Sequence, residues 1–287
     1  MTGLPNGAII KGKKYQGICW LISTIQLIFG MKEFMQSLFR SWEGVNDEEY
    51  PISTALINIW QALGYNENEV AVRNTKLSLL RKFRDLLAKR NKTILNLIEV
   101  EYKGKKFDKL SHVMRDVIHL DPILAYETII DLLKKEFKDN EMFKLMPEHH
   151  VYISIAEYTP GQTIYDLIDA AISSGVCPPS FGTPSKYFVL YYEGKPLIFD
   201  LVQPESLKMA KYFPQDNNDT SYKLIGLICH CSEEVSKGHF VAYRLIGDKW
   251  YFFDDEDVRE IEVYEIGNVY RWEGTNETNC LAFYEQI

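Results

Sequence analysis

The sequence predicts an α+β fold with helices first and strands after, and three observations carry that reading. Apolar residues recur at helical spacing through the first half, runs rich in Tyr, Phe, Val and Ile fill the second, and the change falls near Pro147. No polar linker separates the halves. One domain over residues 1–287 is therefore expected, with a helical lobe at about 17–137 and a strand-rich lobe at about 147–287.

The first element, CWLISTIQLIFG from Cys19 to Gly30, is apolar on nearly all sides, as a helix buried within a domain must be. Helical stripes then run over Ile52–Leu63, Lys76–Leu97 and Pro122–Phe137. Arg73, Lys76, Arg81, Lys82, Arg84, Lys89, Arg90 and Lys92 crowd one stretch in which Asp85 is the only acid. Because Leu80, Phe83 and Leu87 recur there at helical spacing, these cations read as the solvated face of an amphipathic helix, with a site for an anionic partner as the alternative.

Beyond Pro147 the runs HVYISIAEY, KYFVLYY, LIFDLV, YKLIGLICH, HFVAYRLI, KWYFFD and CLAFYEQI read as strands. One helix interrupts them, since Thr163, Leu167, Ile168 and Ala171 keep a helical stripe before the breaker-rich CPPSFGTPS. PQDNNDTS and CSEEVSKG read as loops.

Composition narrows the function classes. A net charge of −8 argues against nucleic-acid binding. No apolar run reaches the length of a membrane span, and Met1–Lys14 lacks the apolar core of a signal peptide, so an intracellular protein, cytoplasmic or nuclear, is expected. Five cysteines without regular spacing fit a reducing compartment, and the Asn-x-Thr matches at Asn91, Asn218 and Asn276 are discounted accordingly.

Cys19 follows Gly17 and opens the buried helix, where the helix dipole favours an anion and hence a thiolate nucleophile. A base is found in GHFVAYRLIGDKWYFFDDEDV, which reads as two strands turning at Gly247-Asp248. In that register Trp250 faces Leu245, Phe252 faces Tyr243 and Asp254 faces Val241, so His239 and Asp254 are diagonal neighbours. Asp255, one residue on, is expected on the opposite face of the strand. Nucleophile, base and orienting carboxylate are then all present.

These residues resemble the ubiquitin-specific proteases. QGICWLISTIQ is similar to that family's cysteine box, with Cys19, Ser23 and Gln26 on matching positions and Trp20 replacing a usual Tyr. YKLIGLICH, GHFVAY and KWYFFDD resemble its histidine box and place the base at His239 and the orienter at Asp254. AYETIIDLL is similar to the box that touches the ubiquitin tail, with Glu127 on one acidic position and Leu124 where an Asp is usual. PSKYFVLYY and CLAFYEQI resemble later strands, the latter the last of the catalytic domain, so no further domain is expected after it.

The resemblance implies a papain-like cysteine peptidase with a helical thumb and a strand-rich palm with shortened fingers. It implies hydrolysis after the C-terminal glycine of ubiquitin, with ubiquitin or ubiquitinated proteins as partners and no cofactor. Glu127, Gly238 and Phe240 are the expected tail contacts. Lys14 stands where the family places an oxyanion-binding Asn, which leaves Lys14, Gln16 and Asp255 as candidates beside the Cys19 amide. The paired Cys-x-x-Cys motifs of many members are missing, and Cys229, His230 and Cys231 alternate along a strand, so no metal is expected. His112, His119, His149 and His150 are read as structural or solvated. Two rivals are another ubiquitin-like modifier or a glycine-site precursor as substrate, and an inactive ubiquitin-binding scaffold.

Overall fold

The computed structural model describes all residues except 1–2, 6–7, 11–12, 16, 46, 65–69, 112–114, 116–119, 139, 147–150, 155–158, 160, 182, 194–205, 214–219, 232–238 and 267–279. The chain divides into two compact units. The first comprises Met1–Phe29, Met35–Asn140 and Phe253–Arg259, and the second Gly30–Phe34, Glu141–Phe252 and Glu260–Ile287.

The helices of the first half are α1 (Cys19–Ile28), α2 (Lys32–Trp42), α3 (Pro51–Ala62), α4 (Val70–Arg90), α5 (Lys92–Glu101) and α6 (Pro122–Glu136), preceded by a two-stranded ribbon of β1 (Ala8–Ile10) and β2 (Lys13–Tyr15). Every residue of α1 is buried, as its all-round apolar sequence predicts. Thr24, a polar exception, directs its hydroxyl at Trp20 O (2.8 Å) and at Pro122 O (3.2 Å), which ties α1 to the start of α6. Asp121 caps α6 by accepting from Ile123 N, with Pro122 in the first turn. At the far end of α6 the Glu136 carboxylate accepts from Ile52 N (2.6 Å) and Ser53 N (2.9 Å), and so caps α3. Burial raises the pKa of Glu136 above its ordinary value, against the opposing pull of those two amides.

The helix predicted over Lys76–Leu97 is two helices in the structure. Asn91 adopts an extended backbone and caps α5, accepting from Thr93 N (2.8 Å) and Ile94 N (3.2 Å) while its amide donates to Thr128 on α6 (2.6 Å). The predicted inner face holds, since Leu80, Phe83 and Leu87 are fully buried. The predicted solvated face is corrected at two positions: Lys76 and Arg84 are buried as well. Arg84 pairs with Asp85, which also receives Arg115.

The strands of the second half join one eight-stranded sheet among the described residues. Its order is β3 (Val151–Ser154), β4 (Tyr187–Glu193), β10 (Cys280–Gln286), β6 (Ser221–Cys231), β7 (His239–Ile246), β8 (Lys249–Asp254), β9 (Asp257–Ile261), with β5 (Leu207–Lys208) pairing β6. β3 runs parallel to β4, while β10 is antiparallel to both β4 and β6. Helix α7 (Ile164–Ser173) opens with a Thr163–Asp166 capping box and buries Ile164, Leu167, Ile168 and Ala171. That stripe joins the aromatic core of Phe181, Phe188, Tyr212, Phe213 and Tyr222. The predicted run LIFDLV lies outside the described residues. Among the described residues no helix is long and apolar enough to cross a membrane.

Candidate functional site

Cys19 is the first residue of α1 and is 1% exposed. Leu21 N and Ile22 N both donate to Ile18 O, so the helical ladder is wound up to the thiol-bearing residue and the positive end of the helix dipole lies at Cys19. Helix α1 packs on α6, which carries Glu127. Glu127 is half-buried, as is Leu124 one turn before it. Burial first, and then the Glu127 charge, hold the neighbouring Tyr126 phenol well above its usual pKa, so it stays protonated.

The second group of predicted residues comes from the β7–β8 hairpin. The strands span His239–Ile246 and Lys249–Asp254 with Gly247 at φ 67°, and the Tyr243 and Phe252 rings meet at 5.2 Å. This contact agrees with the register that sets Phe252 opposite Tyr243 and Asp254 opposite Val241, and not with the register shifted by one residue. His239 heads β7 opposite Cys231 of β6, and the Phe240 ring stacks against His230 at 4.6 Å. Both His239 and Phe240 are half-exposed.

The structure corrects the expectation that Asp255 faces away from the histidine. The potential ligand atoms of His239, Asp254 and Asp255 all lie within 4.8 Å of one another, and each residue is half-buried. The reason is local. Asp255 lies past the end of β8 and adopts φ 55°, so the alternation of an extended strand no longer governs where its carboxylate goes. This trio is the one group of three or more His, Cys, Asp or Glu side chains among the described residues close enough to hold a metal ion. One imidazole and two carboxylates suit a borderline or hard divalent cation, and equally suit an imidazole with two hydrogen-bonding acids.

The Asp255–Glu256 turn is held by Leu4, Gly3 and Arg73, of which the sequence reading noted only Arg73, as one cation of the α4 cluster. Leu4 N donates to Asp255 O at 2.9 Å, and Arg73 Nε meets Glu256 Oε1 at 2.6 Å. Gly3 approaches so closely that a Cβ there would lie 2.1 Å from Asp255 O and 2.7 Å from the Glu256 Cα. The glycine was visible in the sequence, but its partner is about 250 residues away, and no local pattern reports such a pairing.

Of the remaining candidates, Lys14 lies on β2 opposite Ile9, while Gln16 and Gly238 lie outside the described residues. His112, His119, His149 and His150 also lie outside them. Cys229 is a buried member of the sheet core. Cys177 is buried too, and burial pushes its thiol pKa up.

Comparison with known proteins bears on the same segment. The family ubiquitin carboxyl-terminal hydrolase matches residues 196–280, a stretch that holds His239, Asp254 and Asp255. A probable ubiquitin carboxyl-terminal hydrolase 8 of Schizosaccharomyces pombe is 32% identical over 65 residues, which are 23% of this chain and 14% of that protein. Among solved structures, the Ubp8-Sgf11-Sgf73-Sus1 SAGA DUB module superposes with a TM-score of 0.64 at 16% identity, over 100% of this chain and 68% of the other. The same module bound to ubiquitin aldehyde gives 0.66 at 16% identity, over 100% and 70%. At that identity the likeness is one of fold, a helical region with an antiparallel sheet. The chain thus carries, over residues 196–280, a match to the ubiquitin carboxyl-terminal hydrolase family, within a fold like that of the Ubp8-containing module.

Proposed function

We propose that the protein is a thiol-dependent deubiquitinase that hydrolyses the bond after the C-terminal glycine of ubiquitin. The observation that carries the reading is the close grouping of His239, Asp254 and Asp255 inside the family-matched segment, in a chain that also places Cys19 at a helix start. In this reading the Cys19 thiolate attacks the glycine carbonyl carbon, and the electron pair of the carbonyl moves onto oxygen. As the tetrahedral species collapses, the C–N bond breaks and the His239 imidazolium protonates the leaving lysine amine. His239, neutral again, takes one proton from water as the water oxygen attacks the thioester; the C–S bond breaks, the thiolate and imidazolium are regenerated, and the released carboxylic acid gives its proton to solvent.

Asp254 orients the imidazole and stabilises its charged form. Asp255, drawn to the same imidazole, is the candidate to hold a water at the oxyanion, since a carboxylate cannot itself donate to it while ionised. Lys14 and Gln16 are the other oxyanion candidates, beside the Cys19 amide. Glu127, Gly238 and Phe240 are proposed to contact the ubiquitin tail. No cofactor enters any of these steps, and an intracellular setting follows from the substrate.

Leu124 supports a second reading, in which the substrate is another ubiquitin-like modifier. It is half-buried on α6 one turn from Glu127, at a position where the resemblance calls for an acid. A panel of electrophilic probes built on ubiquitin and its relatives, read by intact mass, tests both. An adduct with the ubiquitin probe supports the first reading, an adduct with another modifier alone supports the second, and no adduct with any probe overturns both.

A further inference from the structure

The cations of the α4–α5 segment fall into two sets. Lys76 and Arg84 are buried, and Arg73 is ion-paired with Glu256, so the fold uses these. A second set is exposed: Lys89, Arg90 and Lys92 around the α4–α5 junction, and Lys103, Lys105 and Lys106 just past α5. Between Arg81 and Lys109 the sequence carries ten cationic and four anionic residues, a surplus of six in a chain whose net charge is −8.

Between the two clusters α5 turns Thr93, Asn96, Leu97 and Val100 outward, a single stripe at helical spacing. Leu97 is 47% and Val100 76% exposed, while Ile94 and Ile98 on the inner side are 1% exposed each. The helix is thus anchored chiefly by its inner face, while Leu97 and Val100 leave apolar surface in water. Lys92 adds a second anomaly, since it opens α5 at the dipole end that disfavours a cation, with no acid in the first turn to offset it. The two cationic clusters lie roughly 16 Å apart along the helix, at about 1.5 Å per residue.

We propose that this face of α5 docks an acidic, amphipathic segment of a partner protein. Its apolar side chains cover Leu97 and Val100, and its carboxylates meet the basic clusters at both ends. Charge complementarity selects an anionic occupant. The aliphatic centre selects a polypeptide over a nucleic acid, which would need phosphate-binding cations or stacking rings there instead.

The proposal is independent of catalysis and is tested on the full chain by fluorescence anisotropy. The probe is a dye-labelled synthetic helix of about 14 residues, three to four turns, with Leu on one face and Glu on the other. Saturable, salt-sensitive binding is expected, weakened about tenfold or more by Leu97→Ser with Val100→Ser and, separately, by Lys89→Glu with Lys92→Glu. Thermal melts of both variants should match the parent, and Val100→Thr supplies a milder check if either melts early. Binding that survives the Leu97 and Val100 changes, or a scrambled peptide of equal composition that binds as well, overturns the proposal. So does labelled single-stranded RNA that binds more tightly than the peptide, or a dimer mass in light scattering that the same substitutions abolish.

Discussion

Asp255, at φ 55°, is held by Leu4 N on its carbonyl and by the close approach of Gly3. Replacing Gly3 by Ala would drive a methyl group into that carbonyl, so the turn must move. The expected outcome is a lower kcat with little change in KM for a fluorogenic ubiquitin amide, because the proposed tail contacts, Glu127, Gly238 and Phe240, are other residues; an unchanged kcat would show that the turn does not position the acids. For the acids themselves, Asp254→Ala should lower the acylation rate by about two to four orders of magnitude in single-turnover kinetics, through loss of imidazole orientation. Asp255→Ala should cost less, and the reverse ranking would exchange the two roles. The nucleophile is checked by mass: a ubiquitin electrophile should add once, on Cys19, and Cys19→Ala should abolish turnover. Cys177 serves as the internal control, since burial raises its thiol pKa and keeps it protonated. At this scale the sequence singled out Cys19, His239 and Asp254 as candidates through spacing and resemblance. It did not disclose that Asp255 lies beside His239 and Asp254, because alternation is informative only while the backbone stays extended.

Glu136 shows how one helix secures another. Its carboxylate bridges the end of α6 to the first amides of α3, and Glu136→Ala should lower the unfolding free energy by about 1–3 kcal/mol in urea titration, the range for stranding two buried donors. The pH dependence has a definite sign. With its folded pKa raised, chiefly by burial, Glu136 binds more protons in the native state than in the unfolded one. Its contribution is fully present below the unfolded pKa and declines as pH rises through the raised value. Glu136→Gln should therefore flatten the pH profile above the ordinary glutamate range, and a profile parallel to the parent would contradict the shift. Element boundaries were legible where the determinant is local: β8 ends at Asp254 as the hairpin register requires, and α6 begins at Pro122 behind its Asp121 cap. The break at Asn91 was not, because an Asn within an apolar stripe is compatible with a continuous helix until Thr128 of α6 takes its amide. β9 escaped notice for a related reason, since DVREI has one buried position and little apolar pattern to read.

The molecule's two units do not follow the order of the chain. The first closes only with Phe253–Arg259, a segment more than a hundred residues beyond the Asn140 at which the rest of it ends. Residues 1–140 expressed alone would lack the partners of Leu4 and Arg73, Asp255 O and the Glu256 carboxylate. Such a fragment is expected to unfold with a broader, less cooperative thermal transition than the full chain; an equally sharp one would show that the segment is dispensable. The division into helices and then strands was readable from periodicity, whereas this return of the chain was not, because a backbone bond from Leu4 and one ion pair from Arg73, each to a residue far along the chain, leave no local pattern. The Leu4–Asp255 bond has a further consequence in time. A ribosome emits Leu4 about 250 residues ahead of Asp255, and at roughly 5–20 residues per second the nascent chain spends on the order of 10–50 s with its cysteine made and its acids still unwritten. If the proposed chemistry is correct, synthesis itself keeps the growing polypeptide from acting on ubiquitin until Asp254 and Asp255 have left the tunnel.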